Sequence, residues 1–209
     1  MNMFIKKIMG NTNKSTRRNK QKEETRQLIL TVAQKQFTEN GFAKTTMRSI
    51  AEEAEIAVGT IFVHFADKSA LLAATFYEII AQQTEMAFAT LPAEATLKAK
   101  LLHMARSLYS YYAQDVTLSR TLLKEILFMD GEWGDAHNQQ ALTFITSLAE
   151  WLKQEQENGT LNREANVTII ATSFFSHYLF VLITGLRAPS FAVDAQIAQL
   201  DALISPILN

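Results

Sequence analysis

Two short helical patterns, separated by a brief turn, carry the side chains of this chain that are best suited to read DNA. The first pattern runs from Thr46 to Ala54, the turn is Glu55-Ile56, and the second pattern runs from Ala57 to Val63. In a helix-turn-helix, the second helix enters the major groove while the first crosses the DNA backbone. The spacing therefore predicts a DNA-reading unit, although short helices also occur in small helical domains that bind no nucleic acid.

Individual side chains of this unit fit that chemistry. Arg48 has the guanidinium fork that reads guanine or holds a phosphate, and Thr60 offers both a hydroxyl and a methyl group. The absence of a side chain at Gly59 would let the second helix come close to base edges. Lys44 and Lys68 lie where backbone phosphates would pass. These residues predict both base reading and phosphate contact.

Motifs for catalysis or metal binding do not compete with this interpretation. The sequence lacks GxGxxG, GxxxxGK[ST], HExxH and GxSxG. With no Cys, it has no disulfide framework, thiolate zinc site or cysteine nucleophile. Its four histidines have no metal-ligand spacing, and they are His64, His103, His137 and His177. We therefore expect no enzyme activity, no metal and no cofactor.

The elements that must hold these residues are helices. The 209 residues are 48% hydrophobic, with only 7 Gly and 3 Pro, and no segment alternates as a strand would. Helical periodicity predicts an all-α fold of about nine helices, three of them forming the N-terminal module. The boundaries expected for the longer ones are Glu23 to Asn40-Gly41, Asp67–Ala89, Glu94–Ala113, Val116–Phe128, Ala136–Glu157, Ala165–Leu186 and Val193–Leu203, with a loop over 130–134.

Charge divides the chain into a basic front and an acidic remainder. Residues 1–68 hold 12 Lys and Arg against 7 Asp and Glu, whereas residues 69–209 hold 8 against 14. A basic segment on an acidic body indicates a polyanion-binding module, although a basic tail can also serve only solubility. We divide the chain into a flexible basic arm (1–21), a helix-turn-helix DNA-binding domain (22–68) and a helical body (69–209).

The front segment resembles the tetracycline-repressor (TetR) family of transcriptional regulators. The resemblance rests on residues 41–72, which include GFAKTTMRSIAEEA at 41–54, GTIFVHFADK at 59–68 and Leu71-Leu72. The body matches the family only in its helical layout and size. The resemblance implies a dimeric, ligand-responsive regulator, most often a repressor, that binds a pseudo-palindromic operator in double-stranded DNA and is released by a small-molecule effector.

Three positions depart from the family pattern. Glu55 stands where the family has Gly in the turn, and a side chain at positive φ costs roughly 1 kcal/mol. Ala57 replaces the Ser or Thr that caps the recognition helix, a loss of about 1 kcal/mol. Phe62 replaces a Tyr whose hydroxyl often reaches a phosphate, so we expect Phe62 to pack rather than to bind DNA.

By matching position, the resemblance implies a set of DNA-facing residues. Arg48, Thr60 and Lys68 are the members expected to matter most, while His64 has the alternative of packing at the start of the fourth helix. The full set is Thr46, Arg48, Val58, Gly59, Thr60, Val63, His64 and Lys68.

For the body, the resemblance implies a small-molecule cavity and a dimer interface. Aromatic and polar side chains suit a mostly apolar ligand site, although aromatic stripes at helical spacing also form plain core. The candidates for lining the cavity are His103, Tyr109, Tyr112, Phe144, Trp151, Phe174, His177 and Tyr178. We expect the eighth and ninth helices to form a two-fold homodimer interface that includes Phe180 and Ile183.

A membrane location is the alternative to this interpretation. Residues 165–186 contain no Asp, Glu, Lys or Arg, so they could anchor a membrane-associated helical interaction protein. Such a helix can equally be buried by protein on all sides. Residues 1–10 lack the apolar run of a secretory signal. We therefore expect a cytoplasmic protein that makes no membrane contact.

Overall fold

The computed structural model describes residues 17–208, and every described element is helical. Within that range nine α-helices follow one another, which confirms the predicted all-α class. They are α1 (Arg17–Lys44), α2 (Met47–Glu53), α3 (Val58–His64), α4 (Lys68–Ala89), α5 (Leu97–Gln114), α6 (Val116–Ile126), α7 (Glu132–Glu157), α8 (Val167–Arg187) and α9 (Val193–Ile204), followed by a 3-10 turn at Ser205–Ile207.

The first helix differs from expectation at both ends. It begins at Arg17, so the last residues of the predicted arm are helical, while residues 1–16 lie outside the described range. At Gly41 the backbone has φ 76° and ψ 159°, which breaks the helix where Asn40-Gly41 predicted its end. Gly adopts the conformation at this break without a steric cost. The chain then forms a further helical segment that ends at Lys44.

Three helices build the N-terminal module. Helices α1, α2 and α3 enclose a small core that includes Ile29, Phe37, Ile50 and Ile61, all fully buried. Helix α1 also packs along α4 and α6, so the module is continuous with the body.

The body is a bundle in which α4, α5, α7, α8 and α9 pack against one another. An ion pair between Lys100 on α5 and Glu155 on α7 lies almost buried at 3.0 Å. Buried ions need their partner, since removing one leaves an uncompensated charge. This pair therefore links α5 to α7, and removing either partner would leave a nearly buried charge without compensation.

Helix α7 starts at Glu132, whereas the sequence indicated a loop over residues 130–134. Gly131 at the N-cap has φ 79°, which turns the chain sharply into the helix. At Gly134, an added Cβ would lie 1.8 Å from the carbonyl oxygen of Met129. The two glycines indicated a loop, but here one turns the chain and the other allows close packing in a first helical turn.

Candidate nucleic-acid interface and internal cavity

Helix α2 is held by a cap and by a tie to α1. The hydroxyl of Thr46 accepts a hydrogen bond from the Ser49 backbone N–H at 3.0 Å, and the Thr46 N–H donates to the Ser49 hydroxyl at 3.1 Å. This reciprocal pair is a capping box. The Ser49 hydroxyl also donates to Gln36 Oε1 at 2.7 Å, which fixes α2 against α1. Thr46 is therefore the N-cap of α2.

The turn between α2 and α3 has the two defects that the sequence predicted. Glu55 adopts φ 55°, which makes it the one non-glycine residue with a positive φ among residues 17–208. Ala57 caps α3 without any side-chain hydrogen bond. The N–H of Ile56 donates to the Ala51 carbonyl at 3.0 Å and closes the end of α2, while at the start of α3 the Thr60 N–H donates to the Ala57 carbonyl at 2.8 Å. The turn therefore forms with a strained residue and an uncapped helix.

Helix α3 exposes apolar side chains to solvent. Ile61 is fully buried and anchors the helix, whereas Val63 is 70% exposed and Phe62 is 52% exposed. The expectation that Phe62 packs is therefore wrong for this chain, because α3 buries only the face that carries Ile61. A Cβ added at Gly59 would have no heavy atom within 4 Å. The outer face is apolar and has open space at Gly59, which suits contact with thymine methyl groups.

The residues expected to face DNA fall into two groups. Thr46, Val58, Gly59, Val63 and Arg48 are exposed, whereas Thr60, His64 and Lys68 are half-buried. Arg48 projects with 84% of its side chain exposed and has one ion pair, from its Nε to Glu52 at 2.9 Å. Such an exposed pair is weak and leaves the guanidinium available to another acceptor.

Lys68 is engaged within the protein. Its Nζ donates to the carbonyl of Phe42 at 2.7 Å and to that of Thr45 at 2.9 Å, and lies 4.3 Å from the centre of the Phe42 ring. These carbonyls belong to the end of α1 and to the residue before the α2 cap. The Lys68 ammonium therefore holds the start of the helix-turn-helix against α4.

His64, the last residue of α3, is half-buried near α1. Burial lowers the pKa of its imidazole, and the nearby positive charges of Lys22 and Arg26 lower it further, with Glu23 opposing them. The residue is therefore neutral near pH 7 and pairs with Phe65 at a ring separation of 6.2 Å. This placement fits the packing alternative as well as it fits DNA contact.

One aromatic cluster joins the N-terminal module to the body. Trp133 in the first turn of α7 lies 6.4 Å from the ring of Phe65, which follows α3, and 6.0 Å from Tyr77 of α4. The guanidinium of Arg26 from α1 sits over both Phe65 and Trp133, at 5.8 and 5.7 Å, and pairs with Glu78 of α4 at 3.0 Å. Helices α1, α3, α4 and α7 therefore meet at Trp133.

A cavity of about 240 Å³ lies inside the body. Its walls come from α4 to α8 and from the α6–α7 connection, and most of the lining side chains are apolar. The apolar and aromatic lining residues are Ile80, Leu108, Leu123, Ile126, Leu127, Met129, Ala141, Phe144, Phe175, Leu179 and Leu182, together with the phenols Tyr112 and Tyr178.

The polar groups of the cavity are all uncharged types, and no Asp, Glu, Lys or Arg lines it within residues 17–208. Burial lowers the pKa of His137, while hydrogen bonds to the Ala73 carbonyl and to Gln140 oppose this shift. Burial raises the pKa of Tyr112 to about 12, against an opposing hydrogen bond from Tyr178. The imidazole and the phenol are therefore neutral near pH 7.

Two polar lining residues of α7 bind the backbone of α4. His137 Nε2 lies 3.0 Å from the carbonyl oxygen of Ala73, and because that oxygen only accepts, Nε2 is the donor. Gln140 Nε2 donates to the carbonyl of Tyr77 at 2.8 Å. Sequence reasoning missed Gln140 and used His137 only to exclude a metal site, since no local pattern shows which helix face meets a cavity.

Of the eight residues expected to line a cavity, Tyr112, Phe144 and Tyr178 do so. The other five are His103, Tyr109, Trp151, Phe174 and His177, and none of them contributes to the lining. Tyr109 is core, since its hydroxyl donates to the Tyr178 carbonyl at 2.9 Å and its ring stacks on that of Tyr178. His103 bonds Thr90 at 2.9 Å, and His177 bonds the Ser173 carbonyl of its own helix at 2.7 Å.

Helices α7 and α8 carry three of the exposed large apolar residues of the body. Leu142 of α7 and Ile169 and Phe180 of α8 are more than half exposed, and Ile183 is half-buried. Helix α9 instead directs large apolar residues inward, since Ile197, Leu200 and Ile204 are buried. The other exposed large apolar residues of the body lie at the end of α4 and in the α6–α7 connection, and they are Met86, Leu127 and Phe128.

Helix α8 is the one helix of the described range that is long and apolar enough to cross a membrane by length and composition. In this structure it packs against α7 on one flank and α9 on the other. Phe174, Val181 and Leu182 are buried in those contacts. Core helices have the same composition, and 33% of the apolar window of α8 is buried within this chain.

The chain is similar to known regulators in sequence and in structure. Residues 29–75 match the family model described as bacterial regulatory proteins of the tetR family. The chain is 26% identical to the HTH-type transcriptional regulator UidR of Escherichia coli K12 over 191 residues, which cover 90% of this chain and 94% of UidR. It is 25% identical to the fatty acid metabolism regulator protein of Bacillus subtilis over 156 residues, covering 75% of this chain and 80% of that one.

Solved structures share the fold over nearly the whole chain. A TetR-family regulator from Pectobacterium atrosepticum superposes with a TM-score of 0.72 at 22% identity, covering 93% of this chain and 96% of that one. The FadR regulator of Bacillus subtilis, solved in complex with stearoyl-CoA, gives a TM-score of 0.67 at 23% identity, covering 86% and 97%. Residues 29–75, which contain the exposed helix-turn-helix described above, are therefore similar to bacterial regulatory proteins of the tetR family, and the chain shares its fold with solved TetR-family regulators.

Proposed function

We propose that this chain is a cytoplasmic transcriptional repressor that binds a pseudo-palindromic DNA operator as a homodimer and is released by a small molecule. The observation that carries the proposal is α3, whose outer face is exposed and open at Gly59 while Ile61 anchors its inner face. A helix held in this way presents its N-terminal residues to base edges in the major groove. The proposed function requires no catalytic chemistry of the protein.

The residues proposed to touch DNA are divided by their contacts in the free protein. We assign base reading to Arg48, Thr60 and the exposed apolar residues of α3, since arginine reads guanine and small apolar groups meet the thymine methyl. Lys68 is proposed as a positioning residue, because phosphate contact would require its Nζ to leave two carbonyl acceptors. Thr46 has its hydroxyl in the α2 cap and is proposed to present backbone groups to phosphate.

A homodimer is supported by the exposed apolar residues of α7 and α8. An isologous two-fold contact would cover Leu142, Ile169 and Phe180 on both copies. The two recognition helices of such a dimer must lie about 34–36 Å apart to enter successive major grooves. We therefore propose that the dimer interface is formed by α7 and α8, whereas the sequence led us to expect α8 and α9.

Ligand release requires a connection between the cavity and α3, and the first turn of α7 supplies it. Gly134 and His137 line the cavity. Trp133, the residue before Gly134, contacts Phe65 at the end of α3. A ligand that displaces this turn would change how Trp133 packs against Phe65 of the N-terminal module. Coupling of this kind is typically about 1–3 kcal/mol, and DNA weakens ligand binding by the same factor.

Related structures support a small-molecule ligand in this fold. Regulators of the same fold from Bacillus subtilis and Thermus thermophilus were solved in complex with stearoyl-CoA and lauroyl-CoA. Their sequence identity to this chain is 23% in both cases. They therefore support the existence of a ligand, and the chemical class of that ligand has to be inferred from the residues that line the cavity.

Selection of bound DNA from a random pool tests the DNA-binding proposal. We expect enrichment of an inverted repeat, and log affinity for it should fall linearly with log salt concentration. Deleting residues 1–16 should reduce that slope if Lys6, Lys7 and Lys14 contact phosphates. Failure to enrich any sequence would contradict the proposal, whereas an unchanged slope would contradict only the role of the arm.

Sedimentation of a charged variant tests the dimer. We expect Phe180→Lys to give monomers that lose affinity for the full operator, because a charge buried at an apolar interface has no partner. Lys153→Glu, a change at an exposed site of α7, serves as the control. A Phe180→Lys protein that remains a dimer would show that the two-fold contact lies elsewhere.

A further inference from the structure

The cavity combines an apolar wall with a narrow set of neutral hydrogen-bonding groups. Its polar lining side chains are Thr84, His137, Asn138 and Gln140, with the phenols of Tyr112 and Tyr178. No ionised side chain lines it within the described range. A ligand charge placed against the buried wall that carries Tyr112 and Tyr178 would lose its water without gaining a counter-ion, which is strongly unfavourable. The lining therefore discriminates against carboxylates and phosphates inside the cavity.

Two of these polar groups are also the ties between α7 and α4. His137 donates from Nε2 to the Ala73 carbonyl, and Gln140 donates from Nε2 to the Tyr77 carbonyl. Each side chain has further hydrogen-bonding atoms, namely the imidazole Nδ1 and the amide oxygen and second N–H of Gln140. The ring of Tyr77 packs edge-on against His137 at 5.6 Å. These two side chains lie where a ligand would meet the helix–helix contact.

We propose that the cavity takes an uncharged, mainly apolar ligand whose polar group, of the amide or alcohol class, is recognised by His137 and Gln140. The ligand exchanges hydrogen bonds with the two side chains that tie α7 to α4, so recognition and displacement of α7 occur at the same atoms. The inference rests on the proposed function for its biological meaning, but the ligand class follows from the lining alone.

A matched pair of probes tests the ligand class. Octanamide and octanoate have the same chain and shape and differ in charge, and octanoyl-CoA carries the same chain on a charged carrier. Binding is measured by calorimetry and by the fluorescence of Trp133 in a Trp151→Phe background, because the chain has 2 Trp. We expect octanamide to bind at least about tenfold more tightly than octanoate at pH 7.

Three results of this comparison would overturn the proposal. They are equal or tighter binding of octanoate, tighter binding of octanoyl-CoA, and no detectable binding of octanamide. Lowering the pH should strengthen octanoate binding, since the protonated acid is neutral. Octanoate binding that is insensitive to pH would count against discrimination by charge.

Variants of the recognising residues test their assignment. Gln140→Leu keeps the approximate size of the side chain, so we expect octanamide affinity to fall by about tenfold while octanoate affinity is unchanged. Gln139→Leu, at an exposed neighbouring position, is the matched control and should leave both affinities unchanged. His137→Gln retains a donor and an acceptor and should keep the preference for octanamide. An unchanged affinity ratio in Gln140→Leu would overturn the assignment.

The same titrations in the presence of operator DNA separate this inference from the proposed function. Octanamide that binds with the expected preference but leaves operator affinity unchanged would support the ligand class and contradict ligand-controlled release. Octanoate or octanoyl-CoA that binds best and releases the operator would contradict the ligand class and support release.

Discussion

The N-terminal module and the body place their functional residues in opposite ways. In the module, the residues proposed to meet DNA lie on two short consecutive helices and are mostly exposed, as Arg48 and Val63 are. In the body, the cavity lining comes from five helices spread between Ile80 and Leu182. A surface that reads DNA is thus continuous in sequence, whereas a cavity is assembled from distant segments.

The two regions also tolerate change differently. The outer face of α3 has free space around Gly59, while the start of α7 has none around Gly134. Substitutions at the reading surface should therefore act on DNA affinity and leave the fold intact. Substitutions at the α7 turn should act on the fold and on coupling. The following predictions use matched pairs from the two regions to test this contrast.

The largest expected effect is the contrast between the two glycines. Gly134→Ala would place a Cβ against the rigid Met129 backbone, so we expect the free energy of unfolding to fall by about 3 kcal/mol. Gly59→Ala should raise it by up to about 1 kcal/mol through helix propensity, while operator affinity falls on the order of tenfold. Urea unfolding and DNA titration measure both. A Gly134→Ala protein with an unchanged free energy of unfolding would contradict the expected difference between Gly134 and Gly59.

The next effect separates positioning from reading among the basic residues. Lys68→Met removes two hydrogen bonds from a charged donor, so we expect a loss of about 2 kcal/mol in unfolding free energy. Arg48→Ala should leave stability unchanged and reduce discrimination at one or two operator positions by about 1–3 kcal/mol. Lys44→Met is the control for loss of an exposed charge. An unchanged free energy of unfolding in Lys68→Met would contradict the positioning role and favour a role of Lys68 in binding phosphate.

A smaller effect concerns the strained turn. Glu55→Gly should raise the unfolding free energy by about 1 kcal/mol, because Gly adopts φ 55° without a steric cost. Glu52→Gly, inside α2, should lower it by about 1 kcal/mol and serves as the matched control. Thermal unfolding of both variants measures the difference. Equal destabilisation by the two changes would show that the Glu55 side chain makes a compensating contact.

The smallest effect is a pH dependence at the cavity. Burial holds the pKa of His137 below its ordinary value of 6.5, so the unfolded chain binds this proton more readily than the folded one. Stability from this group is complete above pH 6.5 and is lost as the pH falls through the folded-state pKa. His137→Gln should therefore show a weaker loss between pH 7 and 5 in urea unfolding. An identical pH profile would indicate that His137 titrates normally.

Much of the fold and part of the site could be predicted from the sequence. The order of the nine helices, the Thr46 cap and the Asp67 cap, which accepts from the Ala70 N–H at 2.7 Å, all follow from local patterns. The body site was predicted less well, because helical periodicity identifies a buried face without showing whether it borders core or cavity. Tyr109 and Tyr178 carry the same chemistry in sequence, yet only Tyr178 lines the cavity.

The sequence by itself determined the helices, the helix-turn-helix and the strained turn at Glu55, because caps, glycines and periodic apolar residues act within a few residues of one another. The tertiary structure alone decided that Lys68 binds the end of α1, that Trp133 joins α7 to α3, and that His137 and Gln140 tie α7 to α4. These contacts join residues far apart in the chain. Their partners are chosen by how the helices pack, and local sequence carries no record of that packing.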